Sequence, residues 1–198
     1  MDSHRAFAAL ATALVAVAGC FNEPESADKS VPAENRIYLS DRGLKDLVTA
    51  QIFPGADYLN LDRNQLTNVA CVAGMAELKW LRLNDNRLEA LPDLKACAKL
   101  RRIYLRNNRF AAVPETLKDL PSLTDIDLAG NPVAEVPAWL AEKRGLKNLS
   151  FSATKITRLP EDLSAWKCLQ SLQLGSLEIA PEEMARIRAA LPGVAIVF

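Results

Sequence analysis

The chain is poor in the residues that most catalytic and metal sites require. A single histidine, His4, occurs among 198 residues, and it lies in an N-terminal stretch that we expect to be removed. Without it the chain has neither a Ser-His-Asp nor a Cys-His mechanism, and it lacks the commonest metal ligand. None of the 4 cysteines stands in a C-x-x-C arrangement, so no zinc site is expected. The sequence therefore predicts no metal, no cofactor and no enzyme activity.

The chain also lacks an excess of charge of either sign. It has 24 basic and 24 acidic residues, which gives a formal net charge of zero. Removal of the first nineteen residues would take away one of each, Asp2 and Arg5, and leave the balance unchanged. Neither nucleic acid nor anionic lipid is therefore favoured as a partner.

Long hydrophobic runs are missing too. The sizeable apolar run, Ala6 to Gly19, has only 14 residues, which is too short to cross a bilayer core of about 30 Å. It follows a positively charged start and is typical of a cleaved export signal. Its end, Val17-Ala18-Gly19-Cys20, resembles the lipobox of bacterial lipoproteins, which implies cleavage before Cys20 and a lipid on that cysteine. An ordinary export signal with a coincidental cysteine is the alternative, and both send the chain out of the cytoplasm.

Three segments follow from this composition. We expect residues 1–19 to be a signal peptide and residues 20–33, which are rich in polar residues, to be a flexible spacer. We expect residues 34–198 to form a single leucine-rich domain with terminal caps, because the remaining length is enough for one core and too short for a second sizeable domain.

What the chain has instead is a repeat. Units start at residues 34, 56, 78, 100, 123, 146 and 169, and the last step lands on 191, in intervals of 22 or 23 residues. In the unit that starts at Ala56, positions 1, 4, 6 and 11 are apolar and position 9 is Asn64. The sequence resembles the leucine-rich repeat family, whose core is L-x-x-L-x-L-x-x-N-x-L. The resemblance covers residues 34–198 and implies an α/β solenoid, a horseshoe with a parallel sheet on the concave face and short turns or helical turns on the convex face. For function it implies only that most relatives bind proteins.

The residues of each unit explain this architecture. Alternation of apolar and polar residues predicts a short strand that points positions 4 and 6 inward and positions 3, 5 and 7 outward. Stacked units would pair these strands and close one continuous core. Position 9 should satisfy backbone groups where the chain turns inward, through the ladder Asn64, Asn86, Asn108 and Asn131. Thr154 and Leu177 depart from that rule, so we expect their coils to bend differently.

Two further features concern the rest of the domain. Pro181, with Met184, Ile187 and Leu191 on one stripe, predicts a C-terminal helix that caps the stack. Cys71, Cys97 and Cys168 fall on the convex side, where we expect small buried hydrophobic residues. A Cys71–Cys97 disulfide remains an alternative, because export permits it.

The outward positions define the candidate site. The earlier coils concentrate aromatic and arginine side chains, the types enriched at protein-interface hot spots. Asp125 and Asp127 have the spacing of a glycoside-hydrolysing pair, but we expect ion pairing or partner contact, since the face is open and Arg102 should neighbour Asp125. A solvated face whose aromatics and arginines merely stack on one another is the alternative. The predicted ligand-binding residues are Tyr58, Trp80, Arg82, Arg102, Tyr104, Arg106, Asp125 and Asp127.

These observations predict a lipid-anchored protein of the bacterial cell envelope, periplasmic or on the cell surface, that binds a protein or peptide through its concave face. The alternative is a structural or adhesion component that binds cell-surface or cell-wall polysaccharide, with Tyr58, Trp80 and Tyr104 as stacking platforms for sugar rings. Nucleic acid is not expected as a partner.

Overall fold

The computed structural model describes residues 35–45, 47 and 55–198. The predicted signal peptide, Cys20 and the spacer lie outside the described residues, as does residue 34. The described part contains one sheet of eight parallel strands in sequential order. Its strands are β1 (Arg36–Tyr38), β2 (Tyr58–Asn60), β3 (Trp80–Arg82), β4 (Arg102–Tyr104), β5 (Asp125–Asp127), β6 (Asn148–Ser150), β7 (Ser171–Gln173) and β8 (Ala195–Val197).

The strand register follows the predicted repeat. Position 3 of each coil pairs with position 3 of the next, so that Arg36, Tyr58, Trp80, Arg102, Asp125, Asn148 and Ser171 form one row. The last coil differs, because Ser171 pairs with Ala195, which is 24 residues later, whereas the repeat predicted a step of 22. The extra length is used by a helix on the convex side.

The convex side consists of short turns and short helical elements, as predicted. Single-turn 3₁₀ segments span Ala70–Gly74, Glu115–Leu117 and Ser164–Cys168, and helix α1 spans Ala138–Ala141. Helix α2, Pro181–Ala190, is the predicted C-terminal helix, and it carries Ile187 into the core. Among the described residues, no helix combines the length and the apolar character needed to cross a membrane.

The core lies between the sheet and these convex segments. Apolar residues at positions 4 and 6 of successive coils form one continuous buried cluster, with Leu61, Leu81, Leu83, Ile103 and Leu105 fully inaccessible to solvent. Each coil therefore contributes to a shared core that no single coil could form.

The asparagine ladder is confirmed. The side-chain amide of Asn86 donates to the carbonyl oxygens of Leu61 in the preceding coil (3.0 Å) and of Leu83 in its own coil (3.1 Å). Its oxygen accepts a hydrogen bond from the backbone N–H of Leu66 at 3.0 Å. The same pattern holds at Asn64, Asn108 and Asn131.

Two of the later coils lack this asparagine, yet the residue before the equivalent position has the same backbone conformation as in the other coils. Ala153 and Ser176, which precede Thr154 and Leu177, have φ of 54° and 62°, within the range of 52° to 69° found in the other coils. The expected difference in bend is therefore absent at this residue. The hydrogen bonding does differ, because the Thr154 hydroxyl donates only to Phe151 O, at 2.8 Å. At Gly130 the same turn has a φ of 69°, and a Cβ there would lie 2.1 Å from Asn107 Oδ1, so a larger residue would require the Asn107 side chain to move.

The cysteines are free thiols. Cys71 and Cys97 are buried, as expected, and the disulfide alternative is not found. The Cys97 thiol donates to Val72 O at 3.2 Å. Burial raises the pKa of Cys71 to about 11, which keeps it protonated and unreactive. The expectation for Cys168 was wrong: it ends a 3₁₀ segment with its side chain turned to solvent.

Candidate functional site on the concave face

Five side chains on the concave face form a stacked row. Tyr38, at position 5 of its coil, is followed by Tyr58, Trp80, Arg102 and Asp125 at position 3 of the next four coils. The rings of Tyr38 and Tyr58 lie 5.3 Å apart, and those of Tyr58 and Trp80 lie 5.9 Å apart. The Arg102 guanidinium lies 4.0 Å from the centre of the Trp80 ring, and its Nε lies 3.6 Å from Asp125 Oδ2. Parallel strands bring these residues together because equal positions of adjacent coils are neighbours.

The stacked row corrects the expectation that its aromatic residues are exposed. Tyr58 is 2% exposed and Trp80 is 8% exposed, because each ring covers the next. Burial also raises the pKa of Tyr58 to about 12. The open ring faces that a sugar-stacking platform needs are therefore missing at both residues. The predicted neighbourhood of Trp80 and Arg102 is confirmed.

A second group, which we call the open patch, consists of Arg82, Tyr104, Arg106 and Asp127. Arg106 is exposed and the other three are partly exposed. Arg82 donates from Nε to Asp62 Oδ2 at 2.7 Å, and its guanidinium lies 5.4 Å from the centre of the Tyr104 ring. Both contacts fix the guanidinium in place without removing it from water. The open patch is thus a polar surface with one aromatic side chain, in which Arg82 and Tyr104 are held against each other.

Asp62, which is buried, holds Arg82 of the open patch in position. Asp62 is 2% exposed, and its carboxylate accepts hydrogen bonds from Arg82 Nε and from the backbone N–H of Asn84, the latter at 2.8 Å. A buried carboxylate is tolerated when such partners satisfy it. Sequence reasoning missed this role. Asp62 stands at position 7 of one coil and Arg82 at position 5 of the next, and this proximity could have predicted the ion pair.

Asp125 and Asp127 are held in different ways. The Asp125 carboxylate accepts hydrogen bonds from the Thr124 hydroxyl and the Asn148 amide and faces Arg102. Asp127 Oδ1 accepts the backbone N–H of Ala129 at 2.9 Å. The ion pair that we expected between Asp125 and Arg102 is present, and these contacts give Asp125 a structural role at the end of the stacked row.

One depression lies on this face and a second lies along its edge. A hollow of about 280 Å³ is bordered by Tyr104, Asp127, Asn148, Ser150 and Gln173, among others. A groove of about 700 Å³ lies on the other side, where the strands begin, and its charged lining residues are Lys79, Arg101, Arg102, Lys147 and Asp125. Sequence reasoning missed the groove, because position 2 belongs to neither the inward nor the outward set. No group of three or more potential metal ligands occurs within the described ranges.

The sheet, the convex turns and the asparagine ladder together define a leucine-rich repeat solenoid. Neither protein-family models nor curated proteins yield a match to the chain. Solved structures do. The chain is similar to an internalin from Listeria monocytogenes, with 21% identity and a TM-score of 0.62 over 82% of this chain and 54% of the internalin. It is also similar to YopM from Yersinia enterocolitica, with 26% identity and a TM-score of 0.57 over 73% of this chain and 30% of YopM. Both are leucine-rich repeat proteins, and the chain spans about half or less of their length.

Proposed function

We propose that the chain is a lipid-anchored recognition module of the bacterial cell envelope that binds a protein or peptide through its concave face. The observation that carries the proposal is the open patch beside the hollow of about 280 Å³. Tyr104 belongs to the open patch and also lines the hollow, and Arg82 and Arg106 present cationic donors in the same patch. Aromatic and arginine side chains held in place lose little entropy on binding, which suits them to protein recognition.

The polysaccharide alternative has less support. A sugar ring stacks on an open aromatic face, but Tyr58 and Trp80 are covered by their neighbours, and Arg82 lies over one face of Tyr104. Protein partners need no such open face, because hydrogen-bonding edges and charges suffice. The concave face therefore suits a protein partner better than a polysaccharide.

Site-specific crosslinking tests the binding surface. A photo-crosslinking phenylalanine derivative is placed at Tyr104 on the concave face or, as a control, at Lys167, which is exposed on the convex side. The intact chain is irradiated in its own cells. We expect a discrete protein adduct from position 104 and none of the same mass from position 167. No adduct from position 104, glycan adducts only, or the same adducts from both positions would contradict the proposal.

The anchor is tested separately. Metabolic labelling with a radioactive fatty acid should mark the wild-type chain and a Cys168→Ser variant, but not a Cys20→Ser variant. Absence of label from the wild type would favour an ordinary export signal. The Cys168→Ser control excludes the exposed thiol as the acceptor.

A further inference from the structure

We propose that the groove at the start of the strands binds an acidic, extended peptide segment of the partner. The inference rests on the proposed function and names the chemistry of the ligand. It concerns position 2 of five successive coils, which contributes Lys79, Arg101, Thr124, Lys147 and Gln170 to the lining.

The charge of the groove distinguishes it from the rest of the chain. Its lining has four cationic side chains and one carboxylate, a net of three positive charges, whereas the whole chain is neutral. The carboxylate, Asp125, already faces Arg102, and Lys79 Nζ lies 3.2 Å from Asp57 Oδ2. Across the described part of the chain, neither Arg101 nor Lys147 has a carboxylate within ion-pair distance. Two cations in a concave site therefore lack an anion, and such a site attracts negative charge.

The shape of the groove fits an extended chain. Five adjacent strands lie about 4.8 Å apart, so the row of position 2 residues is about 19 Å long. An extended peptide covers that length with about six residues. Ser122 and Gln170, which also line the groove, offer donors and acceptors for peptide backbone groups.

A peptide is favoured over an acidic polysaccharide by the aromatic content of the groove. Trp80 is the aromatic side chain of the lining, and the Arg102 guanidinium lies over its ring at 4.0 Å. Stacking of a sugar ring on Trp80 is therefore blocked. Charge and hydrogen bonding remain as the means of recognition in the groove, and a peptide segment rich in Glu or Asp can use both.

The experiment uses the full chain and a fluorescein-labelled octaglutamate peptide, with binding measured by anisotropy at low and high salt. The test variant is Arg101→Glu with Lys147→Glu. The matched control is Arg87→Glu with Lys155→Glu, because it reverses the same two residue types at exposed sites outside the groove. Melting curves check that both variants fold, and a neutral Arg101→Gln, Lys147→Gln variant repeats the test with less perturbation.

We expect the wild type and the control to bind the peptide and the test variant to bind at least about tenfold more weakly. Binding should also weaken from 0.05 M to 0.5 M NaCl, since salt screens exposed charges beyond about 10 Å at 0.1 M. No binding, equal loss in test and control, or binding of polygalacturonate in preference to the peptide would overturn the proposal. If the Tyr104 crosslinker still captures its partner from the Arg101→Glu, Lys147→Glu variant, the concave-face function stands and the groove assignment fails.

Discussion

Replacement of Asn108 by leucine should strongly destabilise the solenoid. The Asn108 amide donates to the carbonyl oxygens of Leu83 (2.8 Å), Leu105 (2.9 Å) and Arg106 (3.2 Å). Its oxygen accepts the backbone N–H of Leu88 at 3.0 Å. Leucine has nearly the same size but can form none of these hydrogen bonds. The substitution therefore removes one rung of the ladder without opening a large cavity.

The magnitude follows from the number of bonds. Each hydrogen bond contributes about 1 kcal/mol net, and a buried group left without a partner costs about 1 to 3 kcal/mol. The two N–H groups of Asn108 are shared among three carbonyl oxygens and its oxygen accepts one bond, so about three hydrogen bonds are lost and buried backbone groups are left without a partner. We therefore predict a loss of about 3 to 5 kcal/mol in the free energy of unfolding. Because a typical domain has only about 5 to 15 kcal/mol in total, this is a large fraction.

Urea unfolding, followed by circular dichroism, measures this loss. The matched control is Thr154→Leu at the same position of a later coil, where the hydroxyl donates one hydrogen bond, to Phe151 O at 2.8 Å. We expect the control to lose about 1 kcal/mol. If Asn108→Leu costs less than about 1 kcal/mol, or no more than Thr154→Leu, the ladder does not stabilise the stack as we argue.

Three other predictions concern titration and reactivity. Burial raises the pKa of Tyr58 to about 12, so the stability that the neutral phenol contributes is present below about pH 10 and is lost as the pH rises towards 12. Tyr58→Phe should reduce that loss of stability in urea titrations at alkaline pH. An unchanged dependence of stability on pH would contradict the assignment. The pKa of Glu183 is lowered by hydrogen bonds from Arg186, so its contribution is present above about pH 4.5 and is lost as the pH falls through the lowered pKa. Glu183→Gln should therefore cost about 1 kcal/mol at pH 7 and less in acid, whereas an equal cost at both values would refute the pairing. Iodoacetamide at pH 8 should modify Cys168 in the native chain but Cys71 only after unfolding, which peptide mapping checks, and early modification of Cys71 would show that it is not buried.

The register of the coils was predictable because the repeat itself encodes it. Leu59, Leu81 and Ile103 recur at one interval, and a strand period of two leaves each only one face to occupy. The asparagine ladder was predictable for the same reason, since its amide is the side chain that both donates and accepts at that turn. The final step of 24 residues was not, because helix α2 replaces the ordinary convex turn and lengthens the path.

Which side chains face outward was predictable, but how much water reaches them was not. Alternation places Tyr58 and Trp80 outside the core, yet each lies within ring contact of its neighbour in the next coil and is buried there. Exposure depends on the sizes of adjacent side chains in three dimensions, which a single unit does not reveal. The cationic groove escaped prediction because Arg101 and Lys147 stand at a position that strand alternation assigns to neither face.

The shared strand register also constrains how the chain can change in length. Each inward apolar residue has its neighbour one coil away, as Leu59 has Leu81 and Leu81 has Ile103. Loss of one whole coil would bring the next coil into the same phase, so a shorter solenoid could close over the gap. A deletion that is one residue longer or shorter than a whole coil and that ends within a strand would turn the apolar side chains of that strand towards solvent. Insertions and deletions that preserve the fold should therefore comprise whole coils.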